Sequence, residues 1–77
     1  MITIFYFAGL KEAAGTAHEQ ADLAGRTVNE LLEWVGKRYP QMPLDAVRVA
    51  INEEYALAED VLQPGDTAAL IPPVSGG

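Results

Sequence analysis

Pro72-Pro73-Val74-Ser75-Gly76-Gly77 is the stretch whose residue types and order point most directly to chemistry. Two successive prolines forbid helix and cannot sit in a central strand ladder. They are expected to start an extended arm of polyproline II character. Six extended residues span roughly 20 Å at about 3.3–3.6 Å each. Gly76 and Gly77 carry no side chain, so such a tip can thread a channel too narrow for any Cβ. Its one unusual group is the α-carboxylate of Gly77. A carboxylate is a poor acyl donor until it is activated. Adenylation by ATP on another protein would give a mixed anhydride open to nucleophiles. With sulfur as the nucleophile the product is a thiocarboxylate, a sulfur donor that requires no cysteine in the chain. The bland alternative is an inert Gly-rich tail. A stiff Pro-Pro start directly after a strand favours the functional reading, because a frayed tail requires no rigid spacer.

Composition narrows the remaining classes. The 77 residues amount to 8.3 kDa and one domain. A hydrophobic fraction of 49% and a charged fraction of 21% argue against disorder. No apolar run reaches the length of a membrane span. The first residues, MITIFYFAGLKEAAG, lack the basic region and cleavage site of a signal peptide. Five Lys and Arg stand against eleven Asp and Glu, a net charge of −6. That leaves no basic footprint for nucleic acid and favours a basic or apolar partner surface. There is no cysteine, which excludes disulfides, thiolate metal sites and a thiol nucleophile. A single histidine, His18, makes a His-based metal site improbable, and no metal site is expected. A small domain without disulfides fits a reducing compartment, taken to be the cytoplasm.

The elements that must position the tail follow from periodicity. Met1 to Ala8 reads as a strand with Ile2, Ile4 and Tyr6 on one face and Thr3, Phe5 and Phe7 on the other. Both faces are largely apolar, which suggests a central strand. Leu10 to Ala14 suits a short helical turn ended by Gly15. Residues 17–23 suit a weaker, edge-like strand. Thr27 with Glu30 forms a capping box, and Val28, Leu31, Leu32, Val35 and Tyr39 make one helical stripe stopped by Pro40. Glu33 and Lys37 sit in the favourable i, i+4 order on the wet side. Val47 to Asn52 alternates as a strand, Asn52 to Glu54 is a turn, and Tyr55 to Leu57 a brief return strand. Pro64-Gly65 marks a turn before the last strand, Thr67 to Ile71. The order β, β, α, β, short β, β suits one mixed sheet with one helix across one face, the first and last strands side by side. Residues 1–71 form the body and residues 72–77 the tail.

The string LIPPVSGG, within LQPGDTAALIPPVSGG, resembles the small subunit of molybdopterin synthase. IFYFAGLKEAAGT and VRVAINEEYA resemble the same family, so the likeness runs the whole length in order. PPVSGG is its most specific piece. The resemblance implies an α+β, ubiquitin-like β-grasp fold with an extended C-terminal tail. It implies that the Gly77 carboxylate is adenylated and then thiocarboxylated, with Gly76 its slim neighbour. It implies two partners. One is a ubiquitin-activating-like adenylyltransferase that uses ATP and magnesium. The other is the large subunit of molybdopterin synthase, where sulfur passes to cyclic pyranopterin monophosphate to form the dithiolene. A heterotetramer with that subunit is the family's expectation. This chain would bind no cofactor and would be the non-catalytic subunit of a sulfurtransferase complex. One departure is Lys11-Glu12, where the family commonly has Arg-Glu. Lysine keeps the charge and loses the bidentate fork.

The remaining candidates divide between docking and ordinary roles. If the helix covers the Ile2/Ile4/Tyr6 face, Phe7 is exposed, with Ile71 near it on the last strand and Tyr55 completing the patch. These three, with Pro72, Pro73, Val74 and Ser75, are the expected partner-binding residues, because one helix cannot hide both sheet faces. The alternative is that loops cover them as core, and for Phe5 and Tyr55 the two readings stay open. His18 and Glu19 are neighbours on a strand, so they point to opposite faces and form no dyad. Glu53-Glu54 and Glu59-Asp60 read as polar turns, and Trp34 as packing at the rim of the helix stripe. Other functions remain: a sulfur carrier for thiamine, tRNA thiolation or another pathway, a ubiquitin-like protein modifier, or an interaction module with an inert tail.

Overall fold

A run of β-branched and aromatic residues, Ile2–Tyr6, forms strand β1 with Ile2, Ile4 and Tyr6 buried. The computed structural model describes residues 1–73. Ala8 takes a positive φ of 50° and turns the chain into helix α1, Gly9–Ala14. Gly15 closes that helix in the left-handed region at φ 75°, its N–H returning to the Lys11 carbonyl. Strand β2, His18–Ala21, then runs antiparallel to β1 along one edge.

Helix α2, Val28–Arg38, starts at the capping box. The Glu30 N–H donates to Thr27 Oγ1 at 3.1 Å, and the Thr27 N–H donates to Glu30 Oε1 at 3.0 Å. The loop at residues 58–60 adds two more acceptors. The N–H groups of Val28 and Asn29 donate to the carbonyls of Asp60 and Ala58, each at 2.9 Å. Donors that a helix start leaves unpaired are thus taken up by backbone. Tyr39 caps the other end, ahead of Pro40.

Strands β3 (Arg48–Ile51), β4 (Glu54–Tyr55) and β5 (Thr67–Ile71) complete one sheet in the order β2-β1-β5-β3-β4. The β1–β5 pair is parallel and the other pairs are antiparallel. Val28, Leu31 and Val35 of α2 lie buried against Ile2, Ile4, Tyr6, Val49, Ala68 and Leu70 of the sheet. This is the ubiquitin-like β-grasp, α+β, with one main helix across one face.

Several boundaries differ from the sequence expectation. The first strand spans Ile2–Tyr6 rather than 1–8, and the second His18–Ala21 rather than 17–23. The central position belongs to β5, with β1 beside it. The return strand is Glu54–Tyr55, not Tyr55 to Leu57. Its shift has a local cause: Asn52 and Glu53 both take positive φ (51° and 72°), the backbone of a tight two-residue hairpin. Leu57 already belongs to the next turn, its N–H donating to the Asp60 carboxylate at 2.8 Å. Among the described residues the exposed i, i+4 ion pair joins Arg26, just ahead of α2, to Glu30 at 3.1 Å, and Glu33 and Lys37 make none. No helix among them is long and apolar enough to cross a membrane.

Glu19 ties β2 to the end of α2. The hydroxyls of Tyr6 and Tyr39 each donate to its Oε2 at 2.6 Å, and Arg38 Nε donates to Oε1 at 2.9 Å. Partial burial pushes the Glu19 carboxyl up. The Tyr39 and Tyr6 hydroxyls and the Arg38 charge outweigh that, so it lies below its ordinary 4.5. Burial and the Glu19 carboxylate push the Tyr6 hydroxyl far above its usual range. A lowered folded pKa stabilises the fold above the ordinary value and loses that contribution as pH falls through the folded one. In urea unfolding at stepped pH, Glu19→Gln should be less stable than wild type near neutrality. The gap should narrow below about pH 4.5. A gap of constant size down to pH 3 would contradict this account.

Candidate functional site

Alternation along the strands gives the sheet a second face that no helix covers among the described residues. Register places His18 opposite Phe5, Phe5 opposite Ala69, Ala69 opposite Ala50 and Ala50 opposite Tyr55. These residues cross the open face in one row. The small side chains of Ala50 and Ala69 leave its middle low. The result is a shallow concavity of about 490 Å³ lined by Phe5, Phe7, Ala50, Asn52, Glu53, Thr67 and Ala69.

Each expected residue has a definite place. Phe7 is 48% exposed and borders the concavity. Tyr55 is 65% exposed on the edge strand β4, outside the concavity. Ile71 is half-buried at the end of β5, one residue past the Tyr6–Leu70 pair and so beside Phe7 in register. Phe5 is half-buried, its ring 5.5 Å from that of exposed His18. His18 and Glu19 do lie on opposite faces. Trp34 is half-buried at the rim of the core, with the Arg38 guanidinium 5.4 Å from its ring centroid. Pro72 is half-buried and Pro73 exposed. Val74, Ser75, Gly76 and Gly77 lie outside the described residues. Among the described residues no group of three His, Cys, Asp or Glu could hold a metal ion.

Sequence reading passed over two features. Arg48 stacks on Tyr55, its guanidinium carbon 4.8 Å from the ring centroid. The alternation of VRVAIN was enough to put it on the open face. Asn52 braces the hairpin against β5: its Nδ2 donates to Asp66 Oδ1 at 2.9 Å, and its Oδ1 accepts from the Thr67 N–H at 3.0 Å. No sequence signal announces that link.

Known proteins share this architecture. The model of the ThiS family matches residues 4–77. The chain belongs to the ThiS family. The molybdopterin synthase sulfur carrier subunit of Chlamydomonas reinhardtii is 36% identical to it over 83 residues, which cover 99% of this chain and 98% of that protein. A solved Pyrococcus furiosus structure, described as a candidate molybdopterin converting factor subunit 1, is 30% identical. It has a TM-score of 0.85 and covers 95% of this ThiS-family chain and 97% of its own. The small archaeal modifier protein 1 of Methanosarcina acetivorans is 26% identical with a TM-score of 0.83, over 99% of this chain and 95% of that one.

The two faces of this ThiS-family sheet should respond differently to truncation. Leu70 is fully buried and Phe7 and Tyr55 are exposed. Leu70→Ala should cost about 2–5 kcal/mol in urea unfolding, while Phe7→Ala and Tyr55→Ala should each cost under about 1 kcal/mol. Equal losses for Leu70 and Phe7 would mean that the open face is structural core.

Proposed function

We propose that this ThiS-family chain is the sulfur carrier subunit of a molybdopterin synthase and that the carboxyl group of Gly77 holds the sulfur. The observation that carries this reading is the full-length likeness to sulfur carrier subunits, on a fold whose central strand β5 runs straight into Pro72-Pro73 beside an open apolar face.

The chemistry needs two outside proteins. On a ubiquitin-activating-like adenylyltransferase, a Gly77 carboxylate oxygen attacks the α-phosphorus of ATP and pyrophosphate leaves. Magnesium and ATP belong to that enzyme. Hydrosulfide, or an equivalent sulfur donor, then attacks the acyl carbon, a C–S bond forms, the bond to the phosphate oxygen breaks and AMP leaves. The tail next enters the large subunit of molybdopterin synthase. There the thiocarboxylate sulfur forms a C–S bond to a side-chain carbon of cyclic pyranopterin monophosphate as that carbon's C–O bond breaks and its oxygen leaves, and water cleaves the acyl–sulfur bond to return the Gly77 carboxylate. Two transfers supply the dithiolene. The chain's own part is to present the tail and to dock through Phe7, Tyr55 and Ile71, first to one partner and then to the other. It supplies no general acid or base, and the active assembly is a heterotetramer with the large subunit. A cysteine-free carrier suits the reducing cytoplasm.

The likeness to an archaeal modifier protein supports a second reading. A lysine amine in place of sulfur would attack the same acyl-adenylate and form an isopeptide bond. Gly-Gly remnants on lysines of other proteins would mark that route.

Incubation with ATP, sulfide and the adenylyltransferase, followed by a thiol alkylating reagent, should add one label to the last peptide. No cysteine competes for the reagent. Deleting Gly77, or adding one residue after it, should abolish labelling and pterin sulfuration and leave the melting temperature unchanged. Wild-type sulfuration by either variant would overturn the proposal.

A further inference from the structure

The open face is apolar along its middle and carries opposite charges at its two ends. Arg48 stands at the end where the chain leaves β5, directly across from Ile71. Among the described residues it is the one Lys or Arg in a strand. Tyr55 shelves its guanidinium, and among the described residues it makes no ion pair. Glu53 stands at the opposite end, in the β3–β4 hairpin, exposed and lining the concavity. It too makes no ion pair among the described residues. β3 and the turn after it keep the two backbone positions roughly 10–13 Å apart at about 3.3 Å per residue. That exceeds the Debye length of about 8 Å at physiological salt, so neither charge cancels the other.

We infer that the docking surface of the large subunit is charged in the complementary sense, acidic where it meets Arg48 and basic where it meets Glu53. This rests on the function proposed above and names what that partner must present. Attraction to the net charge of −6 would draw a basic partner in any orientation. A lone cation held on an aromatic shelf beside the tail root is different, because it rewards only one direction of approach. Direction matters here, since a docked body turned end for end would aim the tail away from the site it must enter. The apolar middle of the face supplies contact area, and the charged ends supply the orientation.

A paired swap isolates this effect. Arg48→Glu changes the charge by −2 and Glu53→Lys by +2, so the double variant keeps the net charge of −6. Calorimetric titration of the full chain against the purified large subunit reads the outcome. The double variant should bind at least about tenfold more weakly at roughly 50 mM salt, because each reversal removes an attraction and adds a repulsion. The deficit should shrink to about threefold or less near 1 M salt, where the Debye length is about 3 Å. Arg48→Met, which keeps an apolar stem over Tyr55, should fall between the two. Thermal melts of the variants should match wild type. Binding of the swap within about twofold of wild type at low salt would overturn the inference, and so would a deficit that ignores salt. Failure of the wild-type chain to bind the large subunit would instead remove the partner itself. The Gly77 labelling experiment reads the carrier chemistry separately, through the adenylyltransferase.

Discussion

The parallel ladder between β1 and β5 holds the rest of the structure in place. It joins Thr3 to Thr67 and continues to Tyr6 and Leu70. Parallel neighbours cannot be linked by a tight turn, so everything from α1 to the β5 turn is the connection between them. That connection must cross the sheet, and α2 is the segment that crosses it. The five inward side chains of the pair, Ile2, Ile4, Tyr6, Ala68 and Leu70, are each almost fully buried. The same ladder sets Phe7 beside Ile71, so an exposed aromatic and the root of the tail become neighbours although they are 64 positions apart in the numbering.

A single helix covers a single face, and the chain treats the two faces differently. Under α2 the Tyr6 hydroxyl is drawn inward and tied up by Glu19. Among the described residues no buried side-chain polar atom lacks a partner. On the other face, successive residues of β5 change role from one to the next. Leu70 packs inside and Ile71 faces out, an alternation that any strand provides without extra sequence. Alanines at positions 50 and 69 keep that outer surface low, where larger residues would fill it.

Local signals with a known mechanism were legible in the sequence. Thr27, Glu30 and Pro40 bracketed α2 because capping and proline termination act within a few residues. The alternation of VRVAIN and TAALI gave both the strands and their outward faces. Features made by distant residues were not legible. Glu19 meets Tyr39 and Arg38 only after β2 and the end of α2 converge. The left-handed backbone at Asn52 and Glu53 shifted β4 by one position, and neither residue is a glycine that would have flagged it. At the open face, the residue types of Phe7 and Ile71 were readable, and the Arg48–Tyr55 stack required the β3–β4 register.

Synthesis order gives the strand arrangement one more consequence. The ribosome makes β1, β2, β3 and β4 before the strand that belongs at the centre. Until Thr67–Ile71 has emerged, β1 and β3 each present an unsatisfied edge, and no ladder joins the two halves of the sheet. Such edges invite pairing with other chains. The nascent protein therefore passes through a stage in which its two hairpins are separate and sticky. Once β5 has emerged it closes both edges in one step, by pairing with β1 on one side and β3 on the other.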